Sequence, residues 1–491
     1  MNIAFRVDSS FKIGTGHIHR CLNLAKEFKK KKIKCVFFSN KQLGNINYLI
    51  QKEFDLYILN KNFKYSIYSK TDNLIDANSS INLIKKLNIN YIFKDHYYLN
   101  NVWEKKILNY CKIVNISDFL KEKSLCDYYI NYNLCYENKL THKNLKKNCV
   151  RLIGPDYFIT KKVPKKKKKI TKKKKITIFM GGVDKKNYTG KLIKIFSDEF
   201  FLDYELDIIV GIRNKNLYKI IDYTKKLKNF RIIIGNKRNL YSFFLNSKLV
   251  ITGVSTSMYE HFVLGINSIV LVQNKLQRQI MRNLKQLNVT NFISSNKDLN
   301  KENISQIIKD KNLFKNNKNL FKNDGVNRII DYFISKNILR NAKLTKASEN
   351  DKIFLFKLFN EPEALKNSLS NKEISLSHHH KWLKKKITDK NSKIFIFKTP
   401  LHNLGQVRFD KTSKNKTFLT YSVTNEFRGK KIGFNMLRLA IKLKVFNTDL
   451  YALVKKNNEF SKKIFKKLGF LEINIDIVKN SIVFYKKNIK I

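Results

Sequence analysis

Along the first two-thirds of this chain, β-prone apolar runs alternate with amphipathic ones, and the alternation stops once and restarts. Between Asn2 and about Tyr157 the runs NIAFRVD, IKCVFFSN, LNINYIFKD, KIVNISD and CDYYINYN are separated by stretches such as INLIKKL and VWEKKILNYC, whose apolar residues recur at helical spacing. Strands joined through helices pair in parallel, and the helices cover both faces of the sheet. The run KKVPKKKKKITKKKK, Lys161 to Lys175, then interrupts the pattern. Its like charges repel, which predicts a solvated hinge. Beyond it KITIFMGG, YELDIIVG, FRIIIGN, SKLVITGV and INSIVLV restart the alternation. Two such halves predict a cleft at the carboxyl ends of their sheets, where ligands of open α/β folds bind. Near Ala342 the text changes to KIFIFK, LGQVRFD and TFLTYSVT, then helix FNMLRLAIKLK, strand DLYALVK and helix EFSKKIFKKLGF, a mixed α+β pattern. The expected domains are 1–160, 176–335 and 342–491.

Charge constrains the partners less than its size suggests. Lys and Arg total 99 against 38 Asp and Glu, a formal charge of +61. The lysines are spread everywhere, Asn, Ile, Phe and Tyr are inflated alongside them, and no nucleic-acid reading motif is present. Codon bias and solvated surfaces account for this, so no nucleic-acid partner is expected, while the positive field favours anionic substrates. No apolar run approaches the roughly 20 residues of a membrane span, and MNIAFRVDSS lacks the charged start of a signal peptide. All six cysteines fall in the first third without a CxxC pair, which predicts free thiols in a reducing compartment, the cytoplasm.

The turn FKIGTGHIHRC, residues 11–21, joins the first strand to the first helix. Gly14 and Gly16 permit φ > 0 and close approach of a ligand, leaving amides at the helix start. His17 falls on the first helical turn, where the dipole disfavours imidazolium and favours the neutral form a general base requires. His19 points away from it and reads as structural. Asp95 and Tyr97 end a predicted strand, the position from which side chains enter the cleft. Gly181 and Gly182 follow another strand as a second turn of close approach.

RVDSSFKIGTGHIHRCLNLA (6–25), KDHYYL (94–99), LIGPDYFI (152–159), FMGGVDKKN (179–187) and ITGVSTSMYEHFVLGINSIVL (251–271) together resemble the pseudaminic acid pathway hydrolases, themselves similar to MurG-type GT-B glycosyltransferases. The resemblance implies a GT-B-like pair of Rossmann halves that cleaves UDP-2,4-diacetamido-2,4,6-trideoxy-β-L-altropyranose to UDP and free sugar, with inversion and without a metal. It implies His17 as the general base and Arg6, Asp8, Gly14, Gly16, Asp95, Tyr97 and Asn274 as substrate-binding. The nucleotide would lie on Gly181, Gly182, Ser255, Thr256 and Ser257, whose hydroxyls and amides suit a pyrophosphate, with Glu260 accepting ribose hydroxyls. The chain departs from the family at Val254, usually glycine, and at Lys275, usually glutamine.

NEFRGKKIGFNML (425–437) follows a strand and opens a helix. With VKKNNEFSKKIFKKLGF (454–470), GQVRFD and HHHKW it resembles the GNAT acetyltransferases of nucleotide-linked amino sugars. The implied cosubstrate is acetyl-CoA, held by Arg428, Gly429, Lys431, Gly433, Asn458 and Ser461, and the implied acceptor is the 4-amino UDP-sugar that precedes the hydrolase substrate. Lys431 replaces a usual glycine, and Phe465 stands where many GNAT enzymes carry a tyrosine general acid. His378, His379 and His380 point in different directions and lack acidic or thiol partners nearby, so no metal is expected. His379 is the one that matches the family. Two other readings remain: a GT-B glycosyltransferase with an acceptor other than water, and a basic nucleic-acid-binding protein.

Overall fold

A computed structural model describes residues 1–487 apart from 61–68, 119, 121, 134–142, 162–173, 183, 185, 213, 236–239, 273–276, 279–280, 282–290, 294–297, 310–322, 370–371, 401, 413–415 and 474–479. Most of the lysine run, together with Asn274, Lys275 and the side chain of Thr256, lies outside the described residues. The chain divides into two compact units, Met1–Ile330 and Asp331–Ile491.

The first unit holds two parallel sheets. Strands β1 (Asn2–Val7), β2 (Lys34–Ser39), β3 (Asp55–Ile58), β4 (Tyr91–Asp95), β5 (Lys112–Ile116), β6 (Tyr128–Asn131) and β7 (Val150–Ile153) are ordered β3-β2-β1-β4-β5-β6-β7. Phe5 of β1 is in register with Phe37 of β2 and Phe93 of β4, with ring centroids 5.0 and 5.1 Å away. All three rings are fully buried, and such pairs add about 0.5–1.5 kcal/mol each beyond burial. A one-residue slip of β1 would carry Phe5 to the opposite face of the sheet and break both ring contacts, so the register is firmly set. It places Val7 opposite Asp95. The order reverses between β1 and β4, the switch point at whose carboxyl ends ligands bind.

The second sheet contains β8 (Lys175–Phe179), β9 (Glu205–Val210), β10 (Phe230–Ile234), β11 (Leu249–Gly253), β12 (Ser268–Leu271) and β13 (Asn291–Ile293), ordered β10-β9-β8-β11-β12-β13 and again wholly parallel. Its switch point lies between β8 and β11. Ile176, Ile178, Leu206, Ile208, Ile251 and Ile269 form its buried centre.

Helix α1 (Gly16–Lys30) follows β1, α2 (Lys70–Lys86) precedes β4, and α3 (Asn101–Ile107) follows it. In the second half α4 (Tyr188–Phe196) follows β8 and α5 (Thr256–Leu264) follows β11. Ser69 and Asp72 close a capping box on α2, while Asn100 and Asn187 cap α3 and α4. Thr15 and Ser255 place no side-chain cap on α1 and α5, so the first amides of those two helices have no such partner.

The second unit is a mixed sheet of β14 (Lys343–Lys346), β15 (Ser392–Lys398), β16 (Asn403–Lys411), β17 (Lys416–Val423), β18 (Asp449–Lys455), β19 (Leu471–Ile473) and β20 (Ser481–Lys486), ordered β14-β15-β16-β17-β18-β20-β19. Helices α6 (Lys352–Phe359), α7 (Leu376–Thr388), α8 (Ile432–Lys442) and α9 (Glu459–Lys467) accompany it. The neighbours are antiparallel except β17 and β18, which pair in parallel only from Lys416↔Asp449 to Phe418↔Tyr451. Beyond those three pairs the two strands run on without pairing.

Candidate active sites

The loop after β1 is built on Gly14. Its φ is +88°, its amide donates to Ser10 O at 2.8 Å, and the Ser10 hydroxyl accepts from the Ile13 amide at 3.1 Å. A Cβ added at Gly14 or Gly16 would meet nothing within 4 Å, so this face of the loop is open. His17 follows on α1, 4% exposed, with Nδ1 2.5 Å from Asp95 Oδ1 at the end of β4. Burial alone would raise the Asp95 carboxyl, but Arg20 and then His17 outweigh it and hold it down at about 2. Asp95 is therefore ionised at neutral pH and accepts only, so Nδ1 carries a proton and Nε2 is the nitrogen from which a base would act. The Tyr97 ring lies edge-on to His17 at 4.4 Å and is half exposed.

Arg6 and Asp8, expected at the substrate, are fully buried. Arg6 donates to Asp8 at 2.6 Å and to Asp76 at 2.6 Å. Asp8 also accepts from Ser39, the Asn40 amide, Gln42 and His96, at 2.8–3.1 Å. Burial opposes the Asp8 charge, yet Arg6 and His96 hold its carboxyl well below the usual range. His96 Nδ1 accepts from the amides of Tyr98 and Leu99, both at 3.1 Å, which fixes the turn carrying Tyr97. Sequence reasoning missed His96 and also Arg20, whose guanidinium grips Asp95. The one available signal for Arg20 was its spacing from His17, three residues on along one helix.

At the second switch point Gly181 has φ +84°, and neither it nor Gly182 would crowd an added Cβ. A Cβ at Gly211, after β9, would come within 2.4 Å of the Gly182 carbonyl oxygen, so that turn needs a glycine on its inner side. Ser255 and Ser257 stand at the uncapped start of α5, which follows β11, the neighbour of β8. Glu260 is turned to protein partners: Oε1 accepts from the Thr160 hydroxyl at 2.9 Å and the Tyr241 hydroxyl at 3.1 Å, and burial raises its carboxyl. The neighbouring Tyr259 hydroxyl donates to Asn133 of the first half.

In the second unit the loop after β17 turns through Gly429, φ +75°, into Lys431, which is held at φ +59° and leads into α8 without a side-chain cap. Arg428 donates through Nη2 to Glu361 at 2.5 Å and through Nε to Val423 O at 2.8 Å. Its Nη1 is buried with no partner among the described residues, and an added Cβ at Gly429 would meet nothing within 4 Å. Asn458 caps α9 through the Ser461 amide at 3.1 Å, and Ser461 Oγ lies 2.9 Å from the Tyr421 hydroxyl. Phe465 is buried and stacked on Phe484 at 5.6 Å. His379 is buried among Phe356, Phe359 and Trp382. Among the described residues no group of three or more His, Cys, Asp or Glu is spaced to hold a metal ion, and no helix is long and apolar enough to cross a membrane.

Residues 342–471 match the acetyltransferase (GNAT) domain family. The C-terminal domain is a GNAT domain. The chain has a UDP-sugar hydrolase as a homologue: it is 27% identical over 272 residues, 54% of this chain and 90% of the relative, to the UDP-2,4-diacetamido-2,4,6-trideoxy-β-L-altropyranose hydrolase of Campylobacter jejuni. An uncharacterised protein of Methanocaldococcus jannaschii is 25% identical over 296 residues, 57% of each chain, so the match spans little more than half of that relative. Among solved structures, MurG of Acinetobacter baumannii aligns with 68% of this chain and 99% of its own, at 11% identity and a TM-score of 0.48. The GNAT domain includes the Arg428 loop and the Asn458 cap, while the two parallel sheets precede it.

Proposed function

We propose that the chain carries two consecutive steps on one UDP-linked amino sugar in the cytoplasm. Residues 1–160 and 176–335 form the halves of a hydrolase for UDP-2,4-diacetamido-2,4,6-trideoxy-β-L-altropyranose. Residues 342–491 form an acetyltransferase that makes that substrate from its 4-amino precursor. One observation carries the hydrolase reading: a buried His–Asp pair stands at the switch point of a parallel sheet, beside a loop with an open glycine face.

In this reading His17 Nε2 takes a proton from water as the water attacks the anomeric carbon. The C1–O bond breaks and the electrons leave on the diphosphate of UDP. Attack from the face opposite the leaving group inverts the centre. Gly181, Gly182 and the start of α5, with Ser255, Thr256 and Ser257, hold the pyrophosphate and stabilise its growing charge. Asp95 holds the His17 tautomer, Gly14, Gly16, Tyr97 and Asn274 serve the sugar, and Arg6 and Asp8, read from the sequence as substrate-binding, act from behind them by tying β1 to the segments after β2 and β4. Glu260 faces the ribose while it is tethered to Thr160 and Tyr241.

A GNAT domain implies binding of acetyl-CoA, which when bound supplies the acetyl group as a thioester. The loop suits its pyrophosphate because Arg428 Nη1 is a buried donor without a described partner and the Gly429 face is open. Gly433, Asn458 and Ser461 line the approach, and Lys431 adds a positive charge. Phe465 has no proton to give, so acetyl transfer to the 4-amino group is slow.

The test is incubation of the full chain with the diacetamido UDP-sugar in ¹⁸O water and no acceptor, followed by proton NMR and mass spectrometry. Release of UDP with the label in the sugar and an inverted anomer is expected. Label in UDP, or release only when an acceptor is added, would overturn the hydrolase and favour a glycosyltransferase. Adding the 4-amino sugar and acetyl-CoA tests the first step in the same tube.

A further inference from the structure

Asp95 joins two nitrogen-bearing side chains, His17 and Arg20. Its Oδ1 meets His17 Nδ1 at 2.5 Å and Arg20 Nη2 at 2.7 Å, and its Oδ2 accepts from Arg20 Nε at 2.9 Å. Arg20 Nη2 also stands 3.2 Å from His17 Nδ1. The third nitrogen, Nη1, donates to Asp118 at 3.1 Å and to the Tyr132 hydroxyl at 2.9 Å. Arg20 is thus anchored from the end of β4, from the chain after β5 and from the chain after β6, and it is only 5% exposed. This is an expensive arrangement for a residue with no task, because a buried guanidinium needs every donor satisfied.

A histidine paired with a buried carboxylate alone is drawn toward imidazolium, which is a spent base. A guanidinium on the same carboxylate offsets that pull. We propose that Arg20 is the positioning residue of the hydrolase: it locks the Asp95 carboxylate against His17 Nδ1–H and, by compensating its charge, keeps the ring available as a base at neutral pH. The inference rests on the reading of His17 as that base. The groups that face the ring are Asp95 of β4, Tyr97 from the turn after it and Arg20 of α1 itself, with the Cys21 thiol 3.9 Å behind Asp95 and Asp118 and Tyr132 on the far side of Arg20. Asp95 and Arg20 are the ionic pair in contact with it.

The experiment uses the full chain with Arg20→Gln and Arg20→Lys, measuring kcat/KM for UDP release from pH 5 to 9. In parallel, ring ¹⁵N signals of labelled histidine are titrated, His17 being identified by the signal lost in His17→Gln. Arg20→Gln is expected to move the acid limb and the His17 ring titration upward together by about one pH unit or more, with turnover at pH 7 down about tenfold. Arg20→Lys retains the charge but not the fork, so the limb stays in place while kcat falls several-fold. A limb and ring titration in Arg20→Gln that coincide with the wild type would overturn the proposal, whatever the loss of rate. If Arg20→Gln does not fold, unchanged kcat and ring signals in Arg20→Lys overturn it instead. If the wild type releases no UDP from this sugar, the base reading fails, while the ring titration still decides what Arg20 does.

Discussion

At the end of β1 the groups poised for chemistry are side chains. His17, Asp95 and Arg20 are buried, hydrogen-bonded to one another and aimed by a sheet whose register is set by stacked phenylalanines. At the ends of β17 and β18 the side chains are mostly turned to protein partners, Arg428 to Glu361 and Asn458 to the amide of Ser461, and what the loop after β17 presents is backbone. The first site is sensitive to the identity of a few residues far apart in sequence. The second is sensitive to the path of one short segment. Substitutions should therefore separate the sites: chemistry lost with binding retained in one, binding lost with fold retained in the other.

The largest effect is expected at His17. His17→Ala should lower UDP release at least about 100-fold, since a general base contributes 10²-fold or more, while calorimetry still detects UDP. Retention of more than a tenth of the wild-type rate would remove the base and with it the first half of the comparison.

Acid should next distinguish the units. Asp95 is held at about 2 in the folded chain, below the 3.8 of an ordinary aspartate, so the unfolded state binds the extra proton first. Its stabilisation is complete above about pH 4 and disappears as pH falls toward 2, on the order of 2 kcal/mol for a fully buried group. Asp8, also held low, adds in the same direction. A truncated first unit followed by circular dichroism melting from pH 5 to 2 should lose stability across that window, and Asp95→Asn should flatten part of the slope. A flat profile in the wild type would mean that Asp95 is not held by Arg20 and His17 in solution.

The contrast also explains what could be read in advance. The β1–α1 turn was legible because periodicity, two glycines and a helix start coincide within eleven residues, and the switch points followed from the order of alternating elements. Asp95 was legible as a strand end, but not as the partner of His17, because 78 residues separate them and only strand order brings β4 beside β1. Arg20 was hidden among 99 basic residues, and its spacing from His17 along α1 marks the shared face but not the burial. The strands DLYI and VRLI of β3 and β7 escaped because they are short and only partly buried, so neither makes the apolar run that marked the equally short β6 and β12. The Glu361–Arg428 pair is another contact across many positions that no local pattern announces.

In the GNAT domain the sharper test of a backbone site is Gly429, not Gly433. A Cβ at Gly433 would lie 3.1 Å from the Tyr421 ring, so any side chain there disturbs packing as well as the ligand. Gly429 has φ +75° and open space around it, and aspartate tolerates that region better than most residues. Gly429→Asp should weaken acetyl-CoA at least about tenfold by placing a negative charge against the diphosphate, with a loss of stability of about 1–2 kcal/mol from the positive φ. Calorimetry showing unchanged affinity would place the diphosphate elsewhere.

The smallest effect is expected at Lys431, and its sign is what matters. The lysine sits at φ +59°, a conformation that costs an L-residue about 1–2 kcal/mol, and its side chain is exposed, so nothing in the packing requires it. Lys431→Gly relieves that strain but gives the unfolded chain more freedom to lose, which returns about 0.4–1 kcal/mol. The net expectation is a slight gain in stability, up to about 1 kcal/mol. The same change removes a positive charge from the helix start where the diphosphate would lie, so acetyl-CoA affinity should fall a few-fold at low salt and recover toward parity at high salt. Opposite signs in melting and binding would show that the loop carries backbone strain in exchange for charge. A loss of stability together with unchanged binding would show instead that Lys431 holds the turn, and that the second site depends on a side chain after all.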